Sequence, residues 1–178
     1  MTAPLTPGPR LATDRLILRP LNAADATPIA ALLNEFDIAR MVSRVPHPYA
    51  PSDAAAFLAH AENTDLGREV IFGVETPTDG LVGVIGLDPS HDDTTELGYW
   101  LGRPFWGRGL MTEAVGAVLD WVKHEWGRRY LIAGHFADNP ASGRVLNKAN
   151  FLYTGETRHR FSLARGESVP IRMMVWLA

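Results

Sequence analysis

Three glycines and two arginines stand together between a predicted strand and a predicted helix. The stretch from Leu101 to Val115 reads LGRPFWGRGLMTEAV, with Gly107 and Gly109 next to the helix and Arg103 and Arg108 beside them. Backbone N–H groups at the start of a helix lack intrahelical partners and lie at the positive end of the helix dipole. Glycine removes the Cβ that would keep an anion away, and arginine adds positive charge. This pattern predicts a cradle for a phosphate or a pyrophosphate.

Two common phosphate-binding sequences do not fit this turn. A Walker loop requires Lys and then Ser or Thr after its last glycine, but Gly109 is followed by Leu110 and Met111. A Rossmann loop requires a third glycine where Thr112 stands, and it normally follows the first strand of its domain. Taken alone, the turn fits either another kind of phosphate site or a tight connection that binds no ligand.

Hydrophobic periodicity predicts the elements that must hold this turn in place. Strands are predicted at residues 15–21, 69–77, 80–89, 95–101, 130–137, 152–162 and 169–178. Helices are predicted at residues 22–36, 50–62, 111–126 and 139–151.

The element order is β-α-α-β-β-β-α-β-α-β-β, which places the chain in the α+β class. We expect one mixed, mostly antiparallel sheet of about seven strands with about four helices packed on it. The strand-helix-strand unit from Glu96 to Ala137 requires a parallel pair of strands with a right-handed crossover. Residues 13–178 form the predicted domain, and the proline-rich residues 1–12 form a predicted flexible arm.

Helix ends carry their own signals. Asn22 with Asp25 three residues later is typical of a capped helix start. Pro51 suits the first turn of the second helix. Gly127 is predicted to end the long helix that follows the glycine turn.

Composition limits the class of protein. The chain has 178 residues, a net charge of −3 and no cysteine. Absence of cysteine excludes a disulfide scaffold, a Cys-ligated zinc site and a thiol nucleophile. The charge gives no general attraction to nucleic acid or to an anionic membrane, and no apolar run approaches the roughly 20 residues that span a bilayer. We therefore expect a cytoplasmic protein with no metal, no nucleic-acid partner and no membrane partner.

Three blocks together resemble the GNAT superfamily of N-acetyltransferases. PFWGRG at Pro104–Gly109 is similar to the family's pyrophosphate loop, with Pro where Gln or Arg is usual. NPASGRVLNKANF at Asn139–Phe151 is similar to a second block, with Asn150 where Gly is usual. TDRLILRPL from Thr13 is a third block. GYWL, the glycine loop with its proline, and TEA together resemble the RimJ/RimL-like branch, which acetylates the N-termini of ribosomal proteins.

The resemblance implies acetyl-CoA as co-substrate, held where two central strands diverge and leave a slot. The pantetheine arm would bond to the backbone around Tyr99 to Leu101, and an N–H near Trp100 would polarise the thioester carbonyl. The residues implied to bind the cofactor are Tyr99, Trp100, Leu101, Trp106, Gly107, Arg108, Gly109, Met111, Thr112, Asn139, Ser142 and Lys148.

Three catalytic candidates follow from the resemblance. Glu96 is the expected base, acting through water or by holding the ammonium of the acceptor, and Asn139 is expected to bind the pantetheine or an ordered water. Many relatives protonate the leaving thiolate with a tyrosine whose place is taken here by Leu146. Ser142, one turn earlier, is the expected donor instead, although bulk water is an alternative. His91 and His135 are rival bases; we expect His91 to be solvated.

The predicted function is transfer of an acetyl group from acetyl-CoA to a primary amine by direct attack in a ternary complex. The acceptor is an N-terminal α-amine of a protein or a small-molecule amine, and the enzyme is a monomer or a homodimer. Two alternatives remain at this stage. The missing tyrosine also fits an acyl-CoA-binding module with little catalysis, and the basic turn also fits a nucleotide-binding or RNA-associated protein.

Overall fold

The computed structural model describes residues 8–90 and 94–178. Over these ranges the strands are β1 (Leu11–Ala12), β2 (Ile17–Arg19), β3 (Val70–Thr76), β4 (Gly80–Pro89), β5 (Thr95–Leu101), β6 (Tyr130–Phe136), β7 (Leu152–Ser162) and β8 (Glu167–Leu177). The helices are α1 (Ala26–Leu33), α2 (Phe36–Ala39), α3 (Pro51–Glu62), α4 (Leu110–Trp121) and α5 (Pro140–Lys148). A π-helical turn, Val122–Trp126, continues α4.

One mixed sheet contains all eight of these strands in the order β1-β2-β3-β4-β5-β6-β8-β7. Every neighbouring pair is antiparallel except β5 with β6, which is parallel. The parallel pair predicted for the unit from Glu96 to Ala137 is confirmed, and α4 is its crossover. The predicted α+β class with one mixed sheet is confirmed as well.

The predicted helix ends are confirmed. Asn22 accepts a hydrogen bond from the backbone N–H of Ala24, and the Asp25 carboxylate accepts one from the N–H of Asn22. The π-helical turn ends at Gly127, which has a φ of 74°. Asn150 has a φ of 66° just after α5, which is the conformation that Gly usually supplies.

The element counts differ slightly from the prediction. Leu11 and Ala12, which the prediction assigned to the arm, pair with β2 and form an eighth strand. Residues 1–7 of that arm lie outside the described residues. The helix predicted at 22–36 stops at Asn34, whose side chain accepts a hydrogen bond from the N–H of Tyr49. The separate short helix α2 follows, so the described chain has five α-helices.

Apolar side chains cover both faces of the sheet. The larger core lies under α4 and α5 and contains Phe72, Leu97 and Trp121. A second core lies under α1 and α3 and contains Ile29 and Trp100. Because β5 contributes to both cores, the strand that leads into the glycine turn is fixed from both sides.

Candidate active site

The central strands β5 and β6 separate part of the way along their length. They pair only at Glu96 with Ile132 and at Leu97 with Ala133. Beyond these pairs β5 continues to Leu101 and β6 to Phe136, each hydrogen-bonded to its outer neighbour alone. The sheet therefore opens into the slot that the resemblance implied.

The backbone of β5 presents alternate residues to this slot. The N–H of Gly102 donates to the carbonyl of Val82 at 2.8 Å, and the N–H of Ser90 donates to the carbonyl of Thr94 at 2.7 Å. Hydrogen-bonded and non-hydrogen-bonded pairs alternate in an antiparallel ladder, so Trp100 directs its N–H and C=O towards β4. Tyr99 and Leu101 direct theirs into the slot. The expected polarising N–H near Trp100 therefore belongs to one of these two neighbours.

The Trp100 side chain is also withdrawn from the slot. It is buried in the second core, under α1 and α3. Its expected contact with the cofactor is not supported by the geometry, because neither its backbone groups nor its ring face the opening.

The opposite wall of the slot is formed by β6. The N–H of Ala137 donates to the carbonyl of Pro170 at 2.9 Å, so alternate residues from Ala137 backwards bond to β8. Gly134 and Phe136 therefore turn their backbone groups towards β5. The carbonyl of Phe136 already accepts from the N–H of Asn139 and contacts Nδ1 of His135.

The glycine turn has the geometry that its sequence predicts. Gly107 and Gly109 have φ angles of 73° and 76°, a left-handed conformation that glycine adopts without strain. Gly109 directly precedes α4, so the first N–H groups of that helix point out of its N-terminus. A Cβ added at Gly107 would meet no atom within 4 Å, which leaves open space beside the turn. An anion has room to approach these amides.

The other predicted cofactor residues around the turn differ in position. Trp106 is exposed, and its Nε1 donates to the carbonyl of Leu101 at 2.7 Å. This contact ties the turn to the edge of the slot. Thr112 is partly exposed in the first turn of α4. The Met111 side chain is buried in the larger core, so Met111 can contact a cofactor only through its backbone N–H. Arg108 is exposed beside Gly109.

Three residues that sequence reasoning missed hold the turn in place. Arg15 donates to the carbonyl of Arg108 at 2.8 Å and, through Nε, to Glu113 at 2.7 Å. The Thr13 hydroxyl donates to the same carboxylate at 2.6 Å. These hydrogen bonds and the charge of Arg15 hold the pKa of Glu113 below its usual range, although burial opposes the shift. The segment TDR was part of the resemblance, but its contact with the turn joins residues almost a hundred positions apart.

Glu96 is not an isolated carboxylate. Arg160 of β7 donates to both of its oxygens, at 2.6 and 3.1 Å. A carboxylate held in this way has fewer lone pairs for a water or an ammonium. The structure places Glu96 in the first of the two β5–β6 pairs, near the head of β5 as expected, but commits it to an ion pair.

A second carboxylate lies beside Glu96 and was also missed. Asp88 of β4 stands directly opposite Glu96 and pairs with Arg44 at 2.6 Å. Burial raises the pKa of Asp88, and the neighbouring Glu69 raises it further, while Arg44 lowers it. Glu96 and Asp88 thus each have an arginine partner.

Of the two rival histidines, the structure describes His135. His135 is buried, with Nδ1 2.9 Å from the carbonyl of Phe136 and Nε2 2.9 Å from the Tyr153 hydroxyl. Because the carbonyl only accepts, Nδ1 donates, and Nε2 accepts the Tyr153 proton. Both ring nitrogens are engaged, which removes His135 as an available base. His91 lies outside the described residues.

Helix α5 brings Ser142 to the slot. Asn139 caps the helix, its Oδ1 accepting from the N–H of Ser142 at 3.3 Å, and its amide NH₂ remains for a ligand. The Ser142 hydroxyl lies 2.8 Å from the Tyr99 hydroxyl, which reaches across from β5. Leu146 is buried in the larger core and carries no proton to donate. Lys148 is exposed in the last turn, about 9 Å along the axis from Ser142, and its contact with the nucleotide stays a prediction.

Neither a membrane-spanning helix nor a metal-ligating cluster is found among the described residues. Across 8–90 and 94–178, the helices are too short or too polar to cross a bilayer. Over the same ranges, His, Asp and Glu side chains form no group of three that could ligate a metal ion.

Comparison with known proteins agrees with this geometry. The family described as Acetyltransferase (GNAT) domain matches residues 15–152. "Probable N-acetyltransferase YjcK" of Bacillus subtilis (strain 168) is 29% identical over 151 residues, covering 80% of this chain and 83% of that protein. "Ribosomal-protein-serine acetyltransferase" of Escherichia coli (strain K12) is 29% identical over 79 residues, covering 43% of this chain and 44% of that protein.

A solved structure has the same fold. RimL, a ribosomal alpha-N-protein acetyltransferase in complex with coenzyme A, superposes with a TM-score of 0.81 at 15% identity, covering 95% of this chain and 98% of that one. This superposition confirms the predicted fold, and the partial similarity to the ribosomal-protein-serine acetyltransferase agrees with the resemblance to the RimJ/RimL-like branch. With the slot, the glycine turn and the family match over most of its length, the chain belongs to the GNAT family of acetyltransferases and is an acetyl-CoA-dependent N-acetyltransferase.

Proposed function

We propose that this enzyme transfers the acetyl group of acetyl-CoA directly to a primary amine while both substrates are bound. The opening between β5 and β6 carries the proposal, because it lies between the glycine turn on one side and Glu96 on the other. The amides after Gly107 and Gly109 bind the pyrophosphate. The N–H groups of Tyr99 and Leu101 hold the pantetheine arm and the thioester carbonyl. Positioning of two substrates in one slot supplies much of the acceleration.

The acceptor that fits this site best is an N-terminal α-amine. At neutral pH, deprotonation costs about 1.4 kcal/mol for an α-amine of pKa about 8 and about 4.6 kcal/mol for lysine. Glu96 is paired with Arg160 and both nitrogens of His135 are engaged, so strong base catalysis is not supported. An amine that loses its proton readily demands least of such a site. A small-molecule amine of low pKa satisfies the same condition.

The alternative is an acyl-CoA-binding module with little catalysis, motivated by Leu146 in the place of the usual tyrosine. The hydroxyl of Ser142 at the slot favours catalysis over this alternative. Incubation with acetyl-CoA and a panel of peptides and small amines, followed by free thiol release, separates the two. Turnover on peptide N-termini supports the proposal. Turnover on small amines alone would mean that the acceptor is a small molecule and not a protein N-terminus. Tight binding of acetyl-CoA without turnover supports the acyl-CoA-binding module.

The cofactor site is tested separately by calorimetry with acetyl-CoA. Replacing Gly107 and Gly109 by Ala strains the left-handed backbone of the turn and places methyl groups in the space that the anion would occupy, so we expect the affinity to fall at least tenfold. Gly127→Ala is the matched control, because Gly127 has the same backbone conformation at the far end of the same helical segment. Two results contradict the proposed pyrophosphate site: an equal loss of affinity in the Gly127→Ala control, or no loss of affinity when Gly107 and Gly109 are replaced.

A further inference from the structure

Two hydroxyl groups meet at the α5 side of the slot. The Tyr99 Oη lies 2.8 Å from the Ser142 Oγ and 3.1 Å from the Ser142 carbonyl oxygen. Tyr99 belongs to the stretch of β5 that has left β6, and Ser142 to the first turn of α5. This contact joins the two elements at the mouth of the opening between the strands.

The hydrogen atoms of this pair allow two arrangements. The Ser142 carbonyl can only accept, so it takes a proton from Tyr99 if that bond forms. The Ser142 hydroxyl then donates to the Tyr99 oxygen, and both protons stay within the pair. In the second arrangement Tyr99 donates to the Ser142 Oγ, and the Ser142 proton is released towards a third acceptor. The acceptor that the Tyr99 hydroxyl takes therefore decides the direction in which the Ser142 hydroxyl donates.

We propose that Tyr99 is a positioning residue for Ser142. The Tyr99 hydroxyl donates to the Ser142 Oγ and turns the Ser142 O–H towards the sulfur of the departing coenzyme A. The Ser142 O–H then stabilises that sulfur as a thiolate through a hydrogen bond. This inference rests on the proposed function. In the reaction the amine nitrogen forms a bond to the acetyl carbon, the C–S bond breaks, and its electron pair goes to sulfur. The amine proton passes to water, and the Ser142 proton remains on Oγ.

The chemistry of the pair favours a hydrogen bond over full proton transfer. Burial raises the pKa of the Tyr99 phenol, and the hydrogen bond with Ser142 offsets this only in part. A thiol has a pKa of about 8.5, far below that of an aliphatic hydroxyl or of this phenol. Neither oxygen would lose its proton to a thiolate at equilibrium. Stabilisation of the thiolate needs only a hydroxyl that is aimed at it, because hydrogen bonds to charged acceptors are the stronger ones.

The neighbouring polar groups do not take this role. The Tyr153 hydroxyl, which lies close to Gly143 of α5, donates to His135, and Leu146 carries no polar hydrogen. Tyr153 therefore provides a matched control, because Tyr153→Phe removes a phenol beside the same helix without touching Ser142.

The test is a titration of coenzyme A bound to the enzyme, in which thiolate absorbance in the ultraviolet reports the pKa of the bound thiol. We compare wild type with Tyr99→Phe, Ser142→Ala, the double variant and Tyr153→Phe. The thiol pKa should lie below that of free coenzyme A in wild type and in Tyr153→Phe, and should return about one unit towards it in the other three. Turnover by the same three variants should fall about tenfold, the double variant matching Ser142→Ala, with little change in KM for acetyl-CoA.

Each outcome has one meaning. Normal binding of coenzyme A, with a thiol pKa in Tyr99→Phe equal to that of wild type, overturns this inference and leaves the proposed function intact. Turnover losses that multiply in the double variant overturn it too, because two residues that act through one hydroxyl cannot contribute independently. Failure of wild type to bind coenzyme A contradicts the proposed function itself, and this inference falls with it.

Discussion

The carboxylate of Glu96 accepts hydrogen bonds on both oxygens from the guanidinium of Arg160, at 2.6 and 3.1 Å. This pair joins β5 to β7, two strands with β6 and β8 between them in the sheet. The expected base of the reaction is therefore part of an ion pair that spans four neighbouring strands of the sheet. Its chemistry is that of an anchored anion, which can orient an acceptor ammonium but is poorly placed to remove a proton.

Glu96→Gln should consequently lower turnover by less than tenfold at neutral pH and leave the affinity for acetyl-CoA unchanged. Removal of a true general base usually costs a factor of about 10² to 10⁴. Steady-state kinetics with calorimetric binding checks this, and Glu62→Gln at the end of α3 is the control carboxylate. A loss of a hundredfold or more with normal binding would restore Glu96 as the base.

Glu113→Gln should weaken binding of acetyl-CoA although Glu113 faces Thr13 and Arg15 rather than the turn's amides. Without the charge of Glu113, Arg15 is less firmly held against the carbonyl of Arg108, and the glycine turn gains freedom. We expect a dissociation constant about five- to tenfold higher, which is less than the full contribution of a hydrogen bond to a charged group because Glu113 acts on the turn through Arg15. Asp120→Asn, on an exposed position of the same helix, should change nothing in the same titration. Equal affinities for both variants and wild type would contradict this role for Arg15.

Gly143→Ala should destabilise the fold. An added Cβ would lie 2.7 Å from the Tyr153 hydroxyl and 2.8 Å from Nε2 of His135, breaking or displacing their hydrogen bond. Overpacking of this kind costs about 1–3 kcal/mol, measured as the free energy of unfolding in urea. Gly116→Ala is the opposite case, because a Cβ there meets no atom within 4 Å in the middle of α4. That variant should gain about 0.5–1 kcal/mol, and an equal effect of both substitutions would show that crowding at α5 is unimportant.

Asp25→Asn should destabilise the protein at pH 7 and do so less in acid. Asp25 is buried, which raises its pKa, but the guanidinium of Arg19 and the N–H of Asn22 together lower it below the usual value. A carboxyl with a lowered folded-state pKa contributes stability above its unfolded value of about 3.9, and this stability is lost as the pH falls through the folded value. Breaking a buried pair costs about 3 kcal/mol.

The measurement for Asp25 is urea unfolding of wild type and variant at pH 7 and near pH 3. The difference in the free energy of unfolding should shrink at the lower pH, whereas Asp37→Asn, in an exposed pair with Arg40, should stay close to wild type at both. A difference that is independent of pH would mean that the Asp25 charge does not carry the effect.

Local sequence signals foretold the elements and the glycine turn. Asn22, Gly127 and Gly109 act within a few residues of their own position, so residue type and spacing were enough to place them. The parallel crossover between β5 and β6 also followed from element order, because few topologies connect a strand, a helix and a strand.

Contacts between distant residues were not accessible in this way. Glu96 with Arg160, Tyr99 with Ser142 and Arg15 with Arg108 are separated by 64, 43 and 93 positions. A single sequence carries the types of these residues but not their distances, and these distances decide whether Glu96 is free, where Ser142 donates and what holds the phosphate turn. The sequence also could not show which residues of β5 direct their backbone groups into the slot. Only the observed register shows that Tyr99 and Leu101 do so and that Trp100 does not.

The short parallel contact has a mechanical consequence. In the described part of the chain, the strand pairing between the β1–β5 half of the sheet and the β6–β8 half is limited to Glu96 with Ile132 and Leu97 with Ala133. Each half keeps its own ladder, so a change in the angle between the halves strains few interstrand bonds. We therefore expect the distance between β5 and β6 to vary more easily than the other interstrand distances, and amide exchange at these two pairs would report when it varies.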